Sequence, residues 1–253
     1  MCHLLHFSVP WPEIGYHEIV SVHQPKFHNF GRKTGEGLIL ADREITVHIA
    51  AGEVSGSPPI QRTGKASQRR VAARCQAILH GLWPDSANVT TSVSHSRGRV
   101  VVATTSHCRS GLGIDIEYAD PGRNWPGILD LLVPACGTAS DCHHGALIWT
   151  AYEAFFKANG HFPTLTQIQS VARRARQMAD DQSTHAVYPL GSSVILSTWM
   201  PVDVNFAIGI ALPSKLFQPG SARIGLVWHF ASESGYMDNQ GTTKRFSETA
   251  IQD

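Results

Sequence analysis

The spacing of apolar residues predicts a helix over residues 67–82. Val71, Cys75 and Leu79 recur at helical intervals, and Gly81 lies near the predicted end. Cations crowd the first turns of this helix, where the positive end of the helix dipole disfavours them. Two interpretations stay open: a solvated basic face, or an anion site that also uses the free backbone N–H groups at the helix start. The cations are Lys65, Arg69, Arg70 and Arg74.

A second apolar stretch predicts a helix from about 145 to 159, which Gly160 ends. Alternating and valine-rich stretches between and after the two helices predict strands. These strands are expected at 91–94, 99–105, 111–117, 194–199 and 206–212. Roughly the first 60 residues mix short apolar runs with Gly, Pro and His, which predicts short strands joined by turns.

The order of these elements predicts an α+β protein of two pseudo-symmetric halves, each a small antiparallel sheet packed with a helix. The N-terminal half is expected at 1–110 and the C-terminal half at 111–218. From Pro219 onward the chain is polar and lacks periodicity, so 219–253 is expected to be a loose accessory tail. A chain of 253 residues is long enough for one large domain or two modest ones.

The charge and composition of the chain argue against several classes of protein. Charged residues make up 16% of the chain and the net charge is +1, so a broad basic surface for nucleic acid is not expected. The five cysteines form no C-x-x-C pair, and the first residues lack the basic start of a signal peptide. No apolar run approaches the ~20 residues of a membrane span. We therefore expect a soluble cytoplasmic protein with neither nucleic-acid nor membrane partners.

Two carboxylates lie two residues apart on the strand predicted at 111–117. Because side chains alternate across a strand, Asp115 and Glu117 emerge on the same face. Neighbouring carboxylates repel unless a proton or a cation lies between them, and a hard, oxygen-seeking ion such as Mg²⁺ suits such a pair. A solvent-facing pair on an edge strand is the alternative, which the apolar neighbours Ile114 and Ile116 disfavour.

Glu153 and Lys157 lie four residues apart and therefore share a face of the second predicted helix. An ordinary surface ion pair is one explanation of this spacing. However, Trp149, Phe155 and Phe156 make the helix apolar around much of its circumference, and charges on a nearly buried helix need a reason. A third carboxylate for the metal and a lysine for a phosphate would supply that reason.

A Ser-His-Ser segment lies at the end of the strand predicted at 91–94. A histidine in this position is more often a hydrogen-bonded structural residue than a ligand. The hydroxyl of Ser94 and the imidazole of His95 are nevertheless groups that can contact a phosphate.

Three separate segments of the chain form one pattern. The strand segment is Gly113-Ile114-Asp115-Ile116-Glu117, and the helix segment is Trp149-Thr150-Ala151-Tyr152-Glu153-Ala154-Phe155-Phe156-Lys157-Ala158. Together with Ser94-His95-Ser96, they resemble the signature of the phosphopantetheinyl transferase superfamily, in the larger monomeric class typified by activators of surfactin and enterobactin synthetases. Arg70-Val71-Ala72-Ala73-Arg74 is similar to the G-R-x-x-A-R helix of that family. The resemblance spans roughly 62–160, with a closing hairpin to about 212.

The resemblance implies a metal site and two catalytic residues. Asp115, Glu117 and Glu153 would ligate Mg²⁺, or Mn²⁺ in its place, bound to the pyrophosphate of the substrate coenzyme A. Lys157 would contact the pyrophosphate. Glu153, directly or through a water molecule, would take the proton of the attacking serine.

The resemblance also implies a nucleotide-binding set in the N-terminal half. Ser94 and His95 would hold a phosphate of the nucleotide, and Lys65 would grip the 3′-phosphate, with Arg69 or Arg70 as alternatives. Coenzyme A and the metal are expected in the cleft between the two halves.

The implied reaction activates carrier proteins. It moves the 4′-phosphopantetheine arm of coenzyme A to a serine of an apo acyl or peptidyl carrier protein and releases 3′,5′-ADP. The expected partner is an acidic carrier of polyketide, nonribosomal-peptide or fatty-acid biosynthesis, and the enzyme is expected to be a monomer.

Two departures from the family pattern leave alternatives open. The lysine that usually precedes the helix glutamate is Tyr152, and Trp83-Pro84-Asp85 lies where the family has a G-K-P element. One alternative is a catalytically degenerate homologue that binds coenzyme A or a carrier. Another is a different Mg²⁺-dependent phosphoryl-transfer enzyme such as a nuclease, which the charge balance disfavours.

Overall fold

The structure is a computed structural model that describes residues 17–22, 43–54, 64–82, 89–132, 142–180, 183–217, 222–232, 235–237 and 243–244. Its helices are α1 (Lys65–Leu82), α2 (Trp125–Leu132), α3 (Cys142–Asn159) and α4 (Leu165–Asp180). Its strands are β1 (His17–Val22), β2 (Arg43–Glu53), β3 (Thr90–Ser96), β4 (Arg99–Thr105), β5 (Gly113–Tyr118), β6 (His185–Leu190), β7 (Ser193–Met200), β8 (Asp203–Pro213), β9 (Ala222–Ser232), β10 (Gly235–Met237) and β11 (Thr243–Lys244). The Trp83-Pro84-Asp85 segment lies outside the described residues.

The first sheet has the strand order β11-β10-β9-β2-β4-β3, and β1 also pairs with β9. Its central strand β2 is rich in β-branched residues, which fit a pleated and buried surface. Ile45, Val47 and Ile49 fill one face of β2, whereas Ala50 on the other face packs beneath α1. The buried stripe of α1 against this face includes Cys75 and Leu79.

β9 corrects the expectation of a loose tail after Pro219. This strand runs parallel to β2 over ten paired residues, from Arg43 opposite Ala222 to Gly52 opposite Ala231. Ile224 and Trp228 of β9 are fully buried. The tail expectation is therefore wrong for β9, because a short apolar run inside a polar stretch supplies a central strand once it pairs with β2.

The second sheet has the antiparallel order β5-β8-β7-β6 and packs against α3. The helix lies unusually close to the sheet because glycines face it. A Cβ on Gly209 would lie 2.4 Å from the backbone oxygen of Thr150, and a Cβ on Gly113 would lie 2.0 Å from that of Ala154. Helices α2 and α4 contribute to the same core beside α3.

The inner faces of the two sheets share one hydrophobic core. Side chains of the first sheet, such as Val101 and Trp228, cluster with Ile116, Phe206 and Leu196 of the second. Helix α1 covers the outer face of the first sheet, and α3 covers the outer face of the second. The predicted α+β class with two sheet-and-helix halves is confirmed. The chain passes from the first sheet to the second between β4 and β5, while the domain bounds at 110 and 218 stay predictions.

Among the described residues, no helix is both long enough and apolar enough to cross a bilayer.

Candidate functional site

Strands β3 and β5 are edge strands of different sheets, and serine side chains of β3 join them. The Oγ of Ser92 accepts a hydrogen bond from the backbone N–H of Ile114 at 3.0 Å, and the Oγ of Ser96 accepts one from that of Tyr118 at 3.1 Å. These serines satisfy edge N–H groups that would otherwise lack a partner in this contact. The seam between the two sheets is therefore held by side chains, and the candidate site lies along it.

Asp115 is the most buried carboxylate of the site, with 6% of its surface exposed. Its Oδ1 accepts hydrogen bonds from Ser94 Oγ at 2.6 Å and from Lys157 Nζ at 2.8 Å. Lys157 also donates to the backbone oxygen of Ile114 at 3.0 Å. Burial raises the pKa of Asp115 above its ordinary value, and the opposing effects of Lys157 and Ser94 do not cancel it. A further positive charge beside Asp115 would therefore be stabilising.

Glu117, two residues along β5, is held by a hydroxyl and a guanidinium. Ser96 Oγ donates to Oε1 at 2.9 Å, and Arg123 Nη1 lies 3.0 Å from Oε2. The guanidinium of Arg123 in turn stacks over two indole rings, at 4.4 Å from the ring centroid of Trp125 and 5.1 Å from that of Trp149. Both oxygens of Glu117 are thus engaged by side chains of the protein.

The loop that carries Arg123 is fixed by hydrogen bonds to Asp120. Trp125 Nε1 donates to the backbone oxygen of Asp120 at 2.8 Å, and the N–H of Gly122 bonds to its Oδ1 at 2.9 Å. The other carboxylate oxygen pairs with Arg97 at the tip of the β3–β4 hairpin. Arg97 and Gly98 have φ of 45° and 81°, as a tight hairpin turn requires. The loop is therefore anchored to both sheets.

Glu153 is the third carboxylate and lies one helical turn before Lys157 on α3. It is half-buried and makes no hydrogen bond or ion pair with the other residues that the structure describes. Its charge contributes to raising the pKa of Asp115 and of its neighbour Tyr152. The site thus contains three carboxylates and two cations, Lys157 and Arg123.

The donor set suits a hard divalent cation, since carboxylate oxygens are the ligands that Mg²⁺ prefers. As arranged here, however, the described part of the chain contains no group of three or more His, Cys, Asp or Glu side chains positioned to hold a metal. Lys157 and Arg123 instead supply positive charge at Asp115 and Glu117. The chemistry of the carboxylates fits Mg²⁺ or Mn²⁺, and binding would require their rearrangement around the ion.

The structure brings Ser94, Asp115 and Lys157 into hydrogen-bond contact, with Glu153 near enough for its charge to act on Asp115, but leaves the predicted nucleotide-binding cations apart from them. Lys65, Arg69 and Arg70 are exposed on α1, outside the first sheet, and no hydrogen bond or ion pair of the described residues joins them to the carboxylates. His95 is exposed on the face of β3 opposite Ser94. Their role in nucleotide binding stays a prediction.

Arg123 and Ser96 are site residues that the sequence alone did not single out for a role. Ser96 belonged to the Ser-His-Ser motif, and strand alternation could have placed it beside Ser94. Arg123 lies in a loop, and only the turn geometry brings it to Glu117. No motif spacing identifies such a contact.

No protein-family model matches the chain, and no curated protein matches it. The resemblance of the motifs to a family therefore stays a prediction, and function has to be inferred from the geometry of the carboxylates, Ser94 and Lys157.

Proposed function

We propose that this chain is a phosphopantetheinyl transferase that moves the 4′-phosphopantetheine arm of coenzyme A onto a serine of an acidic acyl or peptidyl carrier protein. The observation that carries the proposal is the hydrogen-bonded group of Ser94, Asp115 and Lys157. These residues come from three separate segments of the chain, and each belongs to a different part of the family-like signature. Their direct contact supports a shared site.

In this proposal the three carboxylates share the task of holding the metal ion, and Glu153 has a second role as the base. Asp115, Glu117 and Glu153 would hold Mg²⁺ or Mn²⁺, and Glu153 makes no hydrogen bond or ion pair with the other described residues that the ion would have to displace. The bound ion would supply electrostatic stabilisation of the charge that develops on the pyrophosphate oxygens.

Lys157 and Glu153 would carry the remaining chemistry. The Lys157 ammonium, fixed by the backbone oxygen of Ile114 at 3.0 Å, would orient the pyrophosphate. The carrier serine oxygen bonds to the β-phosphorus, the bond from that phosphorus to the bridging oxygen breaks, and 3′,5′-ADP leaves. The serine proton passes to Glu153, the carboxylate that has no cation partner among the described residues.

Intact-mass spectrometry of a purified apo carrier tests this proposal. Incubation with the full chain, coenzyme A and Mg²⁺ should add the mass of phosphopantetheine, and EDTA or Asp115→Ala should abolish the gain. Glu153→Gln should slow transfer by roughly 10²–10⁴-fold, as for loss of a general base. Asp130→Asn, on the exposed side of α2, is the matched control and should transfer normally. No mass gain on several carriers, together with no binding of coenzyme A, would refute the proposal.

A non-catalytic binder of coenzyme A or a carrier is the second candidate, and the surroundings of Tyr152 favour it. The Tyr152 ring stacks on Phe162 at 4.9 Å and contacts Trp149 at 5.9 Å, between ring centroids. A neutral aromatic stack therefore occupies the position where the family has a lysine. Tyr152→Lys discriminates the two: a degenerate protein should gain transfer, whereas an adapted enzyme should keep or lose it.

A further inference from the structure

Arg123 and Ser96 bond different oxygens of the Glu117 carboxylate. Arg123 Nη1 lies 3.0 Å from Glu117 Oε2, while Ser96 holds Oε1 at 2.9 Å. A metal ion that uses Glu117 as a ligand must share or take over one of these oxygens. The guanidinium is a fixed positive charge and cannot lose its proton in a protein, so it opposes a second cation at the same oxygen.

Two tryptophans hold Arg123 in this position. Trp125 and Trp149 lie under the guanidinium at 4.4 and 5.1 Å, and the arginine side chain is 29% exposed. Stacking and charge attraction to the indole faces both favour this placement. Trp149 lies on α3, four residues before Glu153, so one of the two tryptophans belongs to the helix that carries the third carboxylate, whereas Trp125 begins α2.

Lys157 differs from Arg123 because its charged group has a second hydrogen-bond acceptor besides a carboxylate. Its ammonium bonds a backbone oxygen as well as a carboxylate, at 3.0 Å from Ile114 O and 2.8 Å from Asp115 Oδ1. It therefore keeps a partner even if Asp115 turns toward another cation. The guanidinium of Arg123, by contrast, makes no hydrogen bond or ion pair with any oxygen outside Glu117 among the residues that the structure describes.

We infer that Arg123 and a divalent metal ion compete for Glu117, so that Arg123 sets the metal affinity of the site and leaves Glu117 when the metal binds. The inference rests on the proposed function for its metal. It assigns a role to a residue outside the carboxylate and lysine set, and to the two tryptophans that hold it.

Titration of the full-length chain with Mn²⁺ by calorimetry tests the inference. Arg123→Gln removes the competing charge, and we expect it to bind Mn²⁺ roughly tenfold more tightly than the unmodified protein. Arg123→Lys keeps a cation and should bind Mn²⁺ about as the unmodified protein does. Arg173→Gln makes the same charge change on the exposed side of α4 and should leave the affinity unchanged.

Tryptophan emission gives a second readout that does not depend on activity. Mg²⁺ should change the emission of the unmodified protein saturably, because the guanidinium moves relative to Trp125 and Trp149. In Arg123→Gln this change should be absent although the metal binds. Trp125→Leu loosens the guanidinium without altering charge, and it should bind Mn²⁺ with an affinity between those of the unmodified protein and Arg123→Gln.

The outcomes separate this inference from the proposed function. If Arg123→Gln and Trp125→Leu bind Mn²⁺ no more tightly than the unmodified protein, the inference is overturned while metal-dependent transfer can still be observed. Weaker binding by Arg123→Gln would also overturn it and would mark Arg123 as a residue that positions Glu117 for the metal. Absence of Mn²⁺ binding in the unmodified protein and in both variants would remove the inference and the metal-dependent part of the proposed function together.

Discussion

The ionised carboxylate of Asp115 lowers the stability of the folded protein. Burial raises its pKa although Lys157 and Ser94 bond to the same oxygen. Because the folded-state pKa lies above the unfolded one, the ionised carboxylate costs stability as the pH rises through it. Asp115→Asn keeps the shape and removes the charge. We expect this variant to melt at or above the temperature of the unmodified protein, without metal at pH 7, while losing transfer.

Thermal denaturation followed by circular dichroism, together with the mass assay for transfer, measures both effects. A clearly lower melting temperature for Asp115→Asn would show that the Lys157 ion pair outweighs the burial of the carboxylate. Such a result would contradict the explanation of Asp115 as a functional residue that costs stability.

Two adjacent histidines, His229 buried and His48 half-buried, make the stability of the protein depend on pH. His48 Nδ1 and His229 Nε2 lie 3.2 Å apart, and the rings stack at 5.4 Å between centroids. Burial, with a smaller effect of the charge of His48, lowers the pKa of His229 to about 4. The folded protein therefore resists protonation of His229, whereas the unfolded chain takes up this proton near pH 6.5.

The stabilising contribution of neutral His229 is thus complete above pH 6.5 and is lost as the pH falls toward 4. Its size is about 3 kcal/mol, from the shift in pKa. Urea denaturation at pH 7.5 and at pH 4.5 measures this loss, and His229→Gln should lose distinctly less stability between the two. Parallel losses in the two proteins would assign the acid sensitivity to other groups.

At the scale of elements, glycines determine how closely α3 approaches the second sheet. A Cβ on Gly209 would lie 2.4 Å from the backbone oxygen of Thr150, which cannot move without the helix. Gly209→Ala should therefore push α3 outward and destabilise the protein by roughly 3 kcal/mol. Because Glu153 and Lys157 move with the helix, metal binding should weaken as well.

Urea denaturation and Mn²⁺ titration measure these two effects. Gly81→Ala is the matched control, since nothing lies within 4 Å of a Cβ there and Gly81 is in α1. Alanine favours a helix over glycine, so this variant should gain up to about 1 kcal/mol. A Gly209→Ala protein as stable as the Gly81→Ala protein would contradict the close packing of α3.

Local patterns predicted the elements that carry the motifs. The helices expected at 67–82 and 145–159 are α1 and α3, and both begin a few residues earlier than expected. The hairpin of β7 and β8 was also predicted. Each helix has apolar residues at helical spacing, and the hairpin has two apolar strands joined by a short turn. These features are local, so each element can be recognised without knowing what it packs against.

Elements defined by distant partners were not predicted. Helix α4 is amphipathic, with exposed arginines at 173, 174 and 176, but no helix was expected in this part of the chain. The position of β9 depends on parallel pairing with β2, about 180 residues earlier. The contact of Arg123 with Glu117 likewise depends on a loop whose shape comes from Asp120 and Arg97. Contacts of this kind, which depend on other parts of the chain, produce no regular spacing of apolar residues by which the sequence would reveal them.

At the scale of the molecule, the two sheets stabilise each other through their shared core. Trp228 and Leu226 of β9 belong to the same cluster as Ile116 and Phe206 of the second sheet. Loss of β9 would remove the parallel partner of β2 and expose that cluster. The carboxylates on β5 should then lose their support, although they lie more than 100 residues before β9 in the chain.

Two truncated chains test this dependence on β9. A chain ending at residue 218 lacks β9, and we expect it to lose cooperative thermal unfolding and Mn²⁺ binding. A chain ending at residue 232 keeps the whole of β9 and should retain both, because the strands removed with the remaining residues, β10 and β11, lie at the edge of the first sheet. Cooperative unfolding of the shorter chain, at a temperature near that of the longer one, would show that β9 is an accessory strand and that β2, β4 and α1 hold the core without it.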